Sequence, residues 1–249
     1  MALQVTSGVP DTRLKLTIAY DGSAFSGWAR QPGKRTVEGE LRAALGRTFA
    51  SYSGLAIAGR TDTGVHALAN VASADVRGGP PADRAVVALN ATLPGDLAIV
   101  QAEKMTPEFH ARFSAKARSY RYRVWLPRVR DPFEERRSLW HPRRLDLDRL
   151  NAAAALIVGQ HDFRAFTPAE TEHDSFVRTV HTAGWTAHEN VLEFEITANS
   201  FLRHMVRTLV GTMLERNHRD FAKLLAGAPR SAAGPTAAPW GLYLVHVSY

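Results

Sequence analysis

A nine-residue segment of the chain places one carboxylate between an arginine and a histidine. The segment, residues 59–67, reads GRTDTGVHA, with Asp62 between two glycines. A short apolar stretch precedes it and an alternating stretch follows it, which predicts a tight loop between two strands. Loops held by rigid strands commonly display catalytic groups. An aspartate that Arg60 keeps ionised, in a site sheltered from water, could act as a nucleophile or a base. The alternative is a simple turn in which the Asp62 carboxylate binds its own backbone.

Positive charge is concentrated in one part of the chain, residues 110–144. The whole chain carries 31 Lys and Arg against 24 Asp and Glu, a formal net charge of +7. Residues 110–144, here called the basic stretch, hold eleven basic side chains against three acidic ones and so supply the whole excess. Arginines suit contacts with phosphate and stacking on bases, and Tyr120, Tyr122 and Trp125 are interleaved with them. The pattern favours a surface that tracks nucleic-acid phosphates, with an ordinary solvated surface as the alternative.

The composition excludes several kinds of chemistry. The chain has no cysteine, which rules out disulfides, thiolate metal sites, iron–sulfur clusters and cysteine nucleophiles. It contains no dinucleotide-binding glycine motif, no P-loop and no His-Glu-x-x-His segment. No segment approaches 18 consecutive apolar residues, and residues 1–10 lack the pattern of a secretory signal. We therefore expect a soluble, cytoplasmic protein.

The elements that must hold the Asp62 loop are predicted from hydrophobic periodicity. Alternating apolar residues predict strands, and apolar residues three or four positions apart predict helices. Asp148 is predicted to cap a helix that Gly159 ends. Strands mixed with short helices along the whole chain predict an α+β fold. The predicted strands span residues 14–20, 55–58, 65–71, 97–105, 120–126, 191–198 and 243–249, and the other predicted helices span residues 37–49, 82–91 and 201–216.

The same pattern divides the chain into two similar halves. We place an N-terminal α/β half at residues 10–108, where it carries the Asp62 loop. A C-terminal α/β half at residues 109–249 carries the strand with Tyr120, the basic stretch and the helix with Arg207.

Residues 59–67 resemble the signature loop of the tRNA pseudouridine synthase A (TruA) family, and further similar segments lie along the chain in that family's order. The resemblance covers residues 14–249 and rests on the joint occurrence of these segments. The segments are Tyr20-Asp21-Gly22-Ser23 with Phe25 and Gly27-Trp28, Thr36-Val37-Glu38-Gly39-Glu40-Leu41, Leu89-Asn90 with Leu93-Pro94, Phe109-His110-Ala111-Arg112-Phe113-Ser114-Ala115, Arg118-Ser119-Tyr120-Arg121-Tyr122, Gly159-Gln160-His161-Asp162-Phe163, Phe201-Leu202-Arg203-His204-Met205-Val206-Arg207 with Gly211, and Gly234-Pro235-Thr236-Ala237 leading to Gly241-Leu242-Tyr243-Leu244.

The resemblance implies the pseudouridine synthase fold, in which two similar α/β halves share a mixed, largely antiparallel sheet with helices packed on it. The active-site cleft then lies between the halves. It also implies isomerisation of uridine to pseudouridine in the anticodon stem-loop of tRNA, at tRNA positions 38, 39 and 40. The target base is flipped out of its stack, and no cofactor and no metal is needed. Family members act as homodimers with one tRNA across both subunits, so the expected partners are tRNA and a second copy of the chain, with no membrane.

By the same resemblance, three polar residues have roles at the reacting base. Asp62 matches the catalytic aspartate, which attacks the uracil ring or the ribose, or assists proton loss from the sugar. Arg207 matches an arginine that pairs with this aspartate and holds it ionised. Tyr120 matches a tyrosine that lies against the uracil face and serves as an acid or a base. By pattern alone, Tyr120 is an ordinary strand residue and Arg207 an ordinary surface residue of a helix.

Three further residues are assigned to substrate binding by the resemblance. Arg60 is expected to contact phosphate and to help fill the place of the flipped nucleotide. Leu242 and Leu244 are expected to form the opposite wall of the pocket. Four histidines near these segments lack convincing metal spacing, and we interpret them as structural or RNA-contacting residues: His66, His110, His161 and His204.

The chain departs from the family pattern at Thr63, at residues 29–30 and at Asn70. Thr63 adds a hydroxyl beside the aspartate, and the other changes affect the expected RNA contacts rather than the chemistry. Two other classes of function compete with the isomerase. One is a non-catalytic RNA-binding protein in which Asp62 is only a turn residue. The other is a hydrolase of a glycosidic bond, which needs a second carboxylate that residues 59–67 do not supply.

Overall fold

The structure is a computed structural model that describes residues 11–171, 174–215 and 221–249. Within these residues, ten strands form one mixed sheet. The strands are β1 (Thr12–Tyr20), β2 (Ser51–Ile57), β3 (His66–Arg77), β4 (Leu97–Met105), β5 (Ala117–Trp125), β6 (Leu139–Trp140), β7 (Gly159–Asp162), β8 (Val177–His188), β9 (Val191–Ala198) and β10 (Leu242–Ser248). The α-helices are α1 (Val37–Thr48), α2 (Ala82–Asn90), α3 (Leu147–Leu156), α4 (Met205–Glu215) and α5 (Phe221–Leu224).

The sheet has its last strand in chain order, β10, near its middle. Its main path runs β4, β1, β3, β10, β5, β9, β8 and β7, with β2 paired to β3 and β6 paired to β5. The last strand, β10, is parallel to β3 and antiparallel to β5. The Asp62 loop leads into β3, and Tyr120 lies on β5. Strand β10 therefore brings the loop and the tyrosine to the same region of the sheet.

Apolar residues alternate in β1 because one face of the strand is buried. Leu14, Leu16, Ile18 and Tyr20 are all buried, and β1 pairs antiparallel with both β3 and β4. Helix α1 buries its predicted apolar stripe, and the Thr36 side chain caps it by accepting a hydrogen bond from a backbone N–H of the first turn. Since a strand with one buried face cannot shift its register by one residue without exposing that face, the periodicity specifies both the element and its orientation.

Most predicted elements are confirmed, and those at residues 97–105 and 191–198 have the observed bounds of β4 and β9. Strand β8 was not predicted. The buried side chains of β8 are Val180 and Trp185, which are an odd number of residues apart. The pairing with β9 also shifts its register between them, so the sequence of β8 shows no clean alternation of apolar and polar residues.

Two predicted helix starts are wrong. The cap of α3 is Asp146 rather than Asp148, because the Asp146 side chain accepts a hydrogen bond from the Arg149 N–H. The helix expected from residue 201 begins at Met205, because His204 has φ +61° and cannot belong to a right-handed helix. Its predicted last residue, 216, lies outside the described residues, as do residues 1–10.

The mixed sheet with helices packed on it confirms the α+β class. The division of the chain into halves at residue 108 stays a prediction. In the described part of the chain, no helix combines the length and the apolar character needed to cross a membrane.

Candidate active site

A cleft of about 1390 Å³ opens beside the Asp62 loop. It is bordered by the loop itself, by Tyr120 of β5, by Leu242 of β10 and by the segment that leads into α4. Pockets for small molecules have volumes of roughly 300–1,000 Å³. The cleft therefore has room for a segment of a polymer rather than for one small molecule alone.

A buried polar network holds the backbone of the loop from below. Asn70 is fully buried in β3, and its side-chain amide donates to the Gly59 carbonyl at 2.8 Å and to the Tyr20 hydroxyl at 3.2 Å. The Tyr20 hydroxyl lies 2.8 Å from Thr61 Oγ1, and burial raises the pKa of this tyrosine to about 12. The Thr61 carbonyl accepts a hydrogen bond from the Trp28 N–H at 3.0 Å. Asn70 thus positions the loop from inside the protein, with its side chain fully buried.

Close packing explains two glycines around this loop. A Cβ atom on Gly22 would overlap the backbone carbonyl of Val65, so the short 3₁₀ turn at Gly22–Ala24 can approach the loop this closely only with glycine at its first position. Gly64 has φ +80°, a conformation in which glycine is favoured over other residues. Both positions therefore keep the turn after Asp62 tight.

The Asp62 carboxylate pairs with two side chains of the α4 region. Its Oδ2 atom lies 3.1 Å from Arg207 Nη1 and 3.4 Å from His204 Nε2. Arg207 is itself fixed, because its Nε donates to the Ala237 carbonyl at 2.8 Å. Among the described residues, no backbone N–H donates to the Asp62 carboxylate, so the simple turn considered as an alternative does not form. The side chain is 32% exposed and Oδ1 has no hydrogen bond to a described residue, which leaves one oxygen available to a bound molecule.

His204 contacts Asp62, a contact that the sequence did not indicate. Its φ of +61° is strained for a non-glycine residue and costs on the order of 1–3 kcal/mol. Burial lowers the pKa of His204, the Asp62 charge opposes this, and the charges of Arg207, Arg203 and Arg230 lower it further. A neutral imidazole can donate from Nε2 to the carboxylate. The signal in the sequence that could have indicated this contact is the position of His204 three residues before Arg207.

Tyr120 lies in the cleft wall with its ring buried. The ring packs edge-to-face on Phe201, with 4.9 Å between the ring centres. Burial raises the pKa of the Tyr120 hydroxyl, and the neighbouring Tyr20 and Asp62 raise it further. Within the described residues, the hydroxyl has no hydrogen-bond partner. It is therefore a protonated phenol whose hydrogen-bonding capacity is left for a ligand.

The remaining predicted site residues divide into two groups. Arg60, Leu242 and the exposed Thr63 border the cleft together with Asp62. Leu244 is fully buried and packs beneath Gly59, so it supports the loop from behind and does not form the cleft wall as expected. The structure thus brings the predicted polar residues to one cleft, and their roles in substrate binding and catalysis stay predictions.

Part of the positive charge of the basic stretch is used inside the protein. Arg121 pairs with Glu195 at 2.7 Å, and Arg123 pairs with Glu134 at 3.0 Å. Arg118 is only 9% exposed and donates to several backbone carbonyls. The interpretation of the whole stretch as a phosphate-binding surface is therefore too broad, and it applies only to the arginines that remain exposed.

His66 at the end of the signature segment is a buried structural residue. It is 2% exposed, and its Nδ1 accepts the Gly22 N–H at 3.0 Å. Its Nε2 lies 2.9 Å from the Arg136 carbonyl and 3.0 Å from the Trp240 carbonyl, so Nε2 carries the proton. A protonated Nδ1 would face Asp21 Oδ1 at 3.3 Å but would lose the Gly22 hydrogen bond. Burial outweighs the Asp21 charge and lowers the pKa of His66.

We expect His66 to make the stability of the protein depend on pH. The unfolded histidine titrates near pH 6.5, and the folded one titrates lower, so its stabilising contribution is complete above pH 6.5 and is lost as the pH falls towards the folded pKa. Urea unfolding at about pH 7.5 and about pH 5.5 measures this loss. His66→Gln should lose less free energy of unfolding than wild type between these two pH values. An equal loss in both proteins would contradict the assignment of a neutral His66.

The chain matches the sequence model of one protein family over most of its length. The family is described as tRNA pseudouridine synthase, and the matched residues are 16–114 and 153–249. These ranges include the Asp62 loop and the α4 segment with Arg207 and His204. The chain therefore belongs to the tRNA pseudouridine synthase family, a family of isomerases.

Curated relatives of this chain carry a more specific name, tRNA pseudouridine synthase A. The protein of Geobacillus kaustophilus is 43% identical over 243 residues, with 95% of this chain and 94% of that protein aligned. The Bacillus subtilis protein is 41% identical over 244 residues (95% and 99%), and that of Neisseria meningitidis serogroup B is 39% identical over 243 residues (95% and 92%).

A solved structure of a Cbf5-Nop10-Gar1 complex also aligns with this chain. It has 12% sequence identity and a TM-score of 0.38. The alignment covers 92% of this chain, which spans 57% of the length of the matched chain. A similarity this distant carries no argument about the site.

Proposed function

We propose that this protein is a tRNA pseudouridine synthase that isomerises uridine in the anticodon stem-loop of tRNA, with Asp62 as the catalytic residue. The observation that carries the proposal is the Asp62 carboxylate, held through one oxygen by Arg207 in a cleft that Tyr120 borders. The family membership supports the reaction, and the names of the relatives support tRNA as the substrate. Because tRNA is the proposed substrate, a cytoplasmic location is part of the proposal.

The isomerisation requires a carboxylate in a fixed position and an enclosed space in which the detached base can turn. The bond from ribose C1′ to uracil N1 breaks, the ring turns, and a bond from C1′ to uracil C5 forms. The C5 proton leaves to solvent, and N1 gains a proton, so the product is an isomer of the substrate. Whether Asp62 attacks uracil, attacks ribose or removes a sugar proton, it needs one anchored oxygen and one oxygen facing the substrate. The contacts of Oδ2 with Arg207 and His204 support this arrangement.

Tyr120 suits hydrogen bonding to the turning uracil, and Arg60 suits binding of the flipped nucleotide. Because its pKa is raised, the Tyr120 hydroxyl remains protonated and can donate a hydrogen bond to a carbonyl oxygen of the turning uracil. Flipping a base out of its stack costs a few kcal/mol, which contacts in the flipped state must offset. Arg60 is exposed at the cleft, where a guanidinium can bind the backbone phosphate of the extruded nucleotide.

Among the described residues, the other carboxylates of the cleft favour an isomerase over a glycoside hydrolase. Glu38 and Glu170 also border the cleft. Glu38 Oε1 pairs with Arg42 at 2.8 Å, and Oε2 accepts the Arg30 N–H at 3.0 Å. Burial raises the pKa of Glu38, but these two donors lower it by more. Glu170 is exposed, outside the dry environment that a catalytic acid needs. A hydrolase requires a carboxyl group in a dry environment that can protonate the leaving group. Glu38 is bound to two donors that favour its ionised form, and Glu170 is exposed.

The test of the proposed function uses an unmodified tRNA transcript labelled with tritium at carbon 5 of uracil. We expect the purified protein to release tritium and to convert the labelled uridine to pseudouridine, which chromatography of the digested RNA identifies. Tight RNA binding without release would instead establish the non-catalytic RNA-binding alternative. Release of free uracil would establish a hydrolase.

Exposed arginines beyond β5 give the proposal a second, separable test. Arg128 is exposed, and the Arg130 guanidinium lies 4.4 Å from the centre of the Trp140 ring. We expect Arg128→Ala and Arg130→Ala each to weaken tRNA binding and to lower the slope of log K against log salt by about 1, because each removes one phosphate contact. Lys104→Ala on the edge strand β4 removes an exposed charge outside the cleft and is the control. Slopes equal to wild type in both arginine variants would exclude this loop from the phosphate contacts.

The resemblance to family members also leads us to propose a homodimer with one tRNA bound across both subunits. Sedimentation of the protein with and without tRNA measures this directly. A monomer that binds one tRNA would contradict the proposal and leave the assignment of Asp62 unaffected.

A further inference from the structure

We propose that Phe113, backed by His110 and flanked by Arg112, is a stacking platform for an unpaired nucleobase of the RNA substrate. The proposal rests on the proposed function for the identity of the substrate. It assigns a binding subsite at the mouth of the cleft, where the nucleotides next to the flipped uridine must pass.

Phe113 is unusual because it is both exposed and preorganised. Its side chain is 77% exposed, and it borders the same cleft as Asp62. The His110 ring stacks on it with 4.5 Å between ring centres and 28° between the planes. The Arg112 guanidinium lies 5.5 Å from the centre of the Phe113 ring. Although His110 stacks on the ring and the Arg112 guanidinium lies over it, Phe113 remains largely open to solvent.

The turn that carries Phe113 is fixed by hydrogen bonds rather than by burial of its tip. The backbone N–H groups of Arg112 and Phe113 both donate to His110 Nδ1 at 3.2 Å. The Ser114 hydroxyl accepts the His110 N–H at 3.0 Å. The fully buried Ala111 donates its N–H to a buried serine of β3 and accepts a hydrogen bond from the hydroxyl of the last tyrosine. The platform therefore loses little conformational entropy when a base stacks on it.

Arg118 ties this turn to the catalytic loop. Its guanidinium donates to the Ala58 carbonyl at 3.1 Å and to the Arg112 carbonyl at 2.8 Å. Ala58 directly precedes the signature segment, and Arg118 is only 9% exposed. One buried side chain thus sets the distance between the platform and the Asp62 loop. A fixed distance of this kind is what positions one nucleotide while its neighbour reacts.

An RNA base is the occupant that the surroundings favour. The cleft has room for more than one nucleotide. Arg112 beside the ring, and Lys116 three residues after Phe113 in the chain, are exposed cations that suit phosphates. Proteins bind unpaired bases by stacking them on exposed aromatic rings next to cationic side chains. A base flipped from a stem leaves its neighbours without one stacking partner, and an open aromatic face can replace that partner.

The test compares side chains of different shape at position 113 for their effect on tRNA affinity. Fluorescence anisotropy measures the dissociation constant for an unmodified tRNA transcript, with every variant built on Asp62→Asn so that the RNA is not turned over. We expect Phe113→Ala and Phe113→Leu to weaken binding by about 5- to 100-fold, the range found for loss of one stacked base. Phe113→Tyr and Phe113→Trp should stay within about threefold of the parent because they keep an aromatic face. Val87→Ala, at a 74% exposed position outside the cleft, is the matched control.

Two other results would contradict the proposal that Phe113 is a stacking platform. If Phe113→Leu binds as tightly as the parent, an apolar contact suffices and no base stacks there. If the alanine variant loses affinity together with a change from dimer to monomer in sedimentation, Phe113 belongs to a contact between two copies of the chain. Melting temperatures equal to the parent's verify that the exposed substitutions leave the fold intact. A wild-type protein that releases no tritium would refute the proposed function instead, whereas the rank order of affinities judges the platform alone.

Discussion

Asp62→Asn is expected to abolish tritium release, lowering the rate at saturating tRNA by at least about a thousandfold, while tRNA binding remains within a few-fold of wild type. The amide keeps the shape of the carboxylate and can still accept a hydrogen bond from Arg207 through its oxygen. The substitution removes the negative charge and replaces one carboxylate oxygen, whose lone pair the reaction needs, by an NH2 group. The loop itself should survive, because Asn70 and Trp28 hold its backbone and Tyr20 holds the Thr61 side chain, none of them through the carboxylate.

A matched control for this variant lies elsewhere in the same molecule. Asp75 on β3 also pairs with an arginine, since its two oxygens each lie 2.6 Å from the Arg13 guanidinium, and it does not border the cleft. Asp75→Asn should lower the free energy of unfolding but leave tritium release at permissive temperature close to wild type. If Asp62→Asn releases tritium as fast as wild type, the assignment of Asp62 is wrong, whatever the affinity of the variant for tRNA.

The sequence predicted the parts of the site that have a local pattern. Strand alternation located the loop between β2 and β3, and the resemblance placed Asp62, Tyr120 and Arg207 in one site; the structure brings them to one cleft. The position of the loop can be predicted because periodicity records burial, and β3, which follows the loop, is largely buried. The shared site of the three residues follows from the resemblance alone.

The parts that could not be predicted depend on contacts between distant segments. His204 reaches Asp62 only because its backbone adopts a strained conformation before α4, which periodicity read as continuous helix. Arg118 is counted as surface charge in a sequence, yet it is a buried support between two turns. Leu244 follows Leu242 by two residues on a strand, and only the position of Gly59 above it shows that it lies behind the cleft. No property of these side chains taken alone distinguishes such roles.

Arg207→Lys is expected to slow the reaction at saturating tRNA by about 100-fold, and Arg207→Ala by up to about a thousandfold. Arg207 makes two directed hydrogen bonds, from Nε to the Ala237 carbonyl and from Nη1 to Asp62. A lysine has one compact ammonium group on a flexible stem and cannot hold both partners in this geometry. The carboxylate would then keep His204 as its remaining partner and would turn more freely about its side-chain bonds. Catalysis should suffer more than affinity, since Arg207 borders the cleft but is only 13% exposed and has its guanidinium bound to Asp62 and the Ala237 carbonyl.

The control for this prediction is the corresponding arginine of the other pair. Arg13 also bridges an aspartate and a backbone carbonyl, with Asp75 at 2.6 Å and the Phe109 carbonyl at 2.7 Å, outside the cleft. Arg13→Lys should therefore cost stability and leave the rate at saturating tRNA close to wild type. Single-turnover rates measured with excess enzyme separate this effect from any change in tRNA release. An Arg207→Lys protein with a wild-type single-turnover rate would show that an anchored Oδ2 is not what catalysis requires, and the orientation of Asp62 would then have to come from the bound RNA.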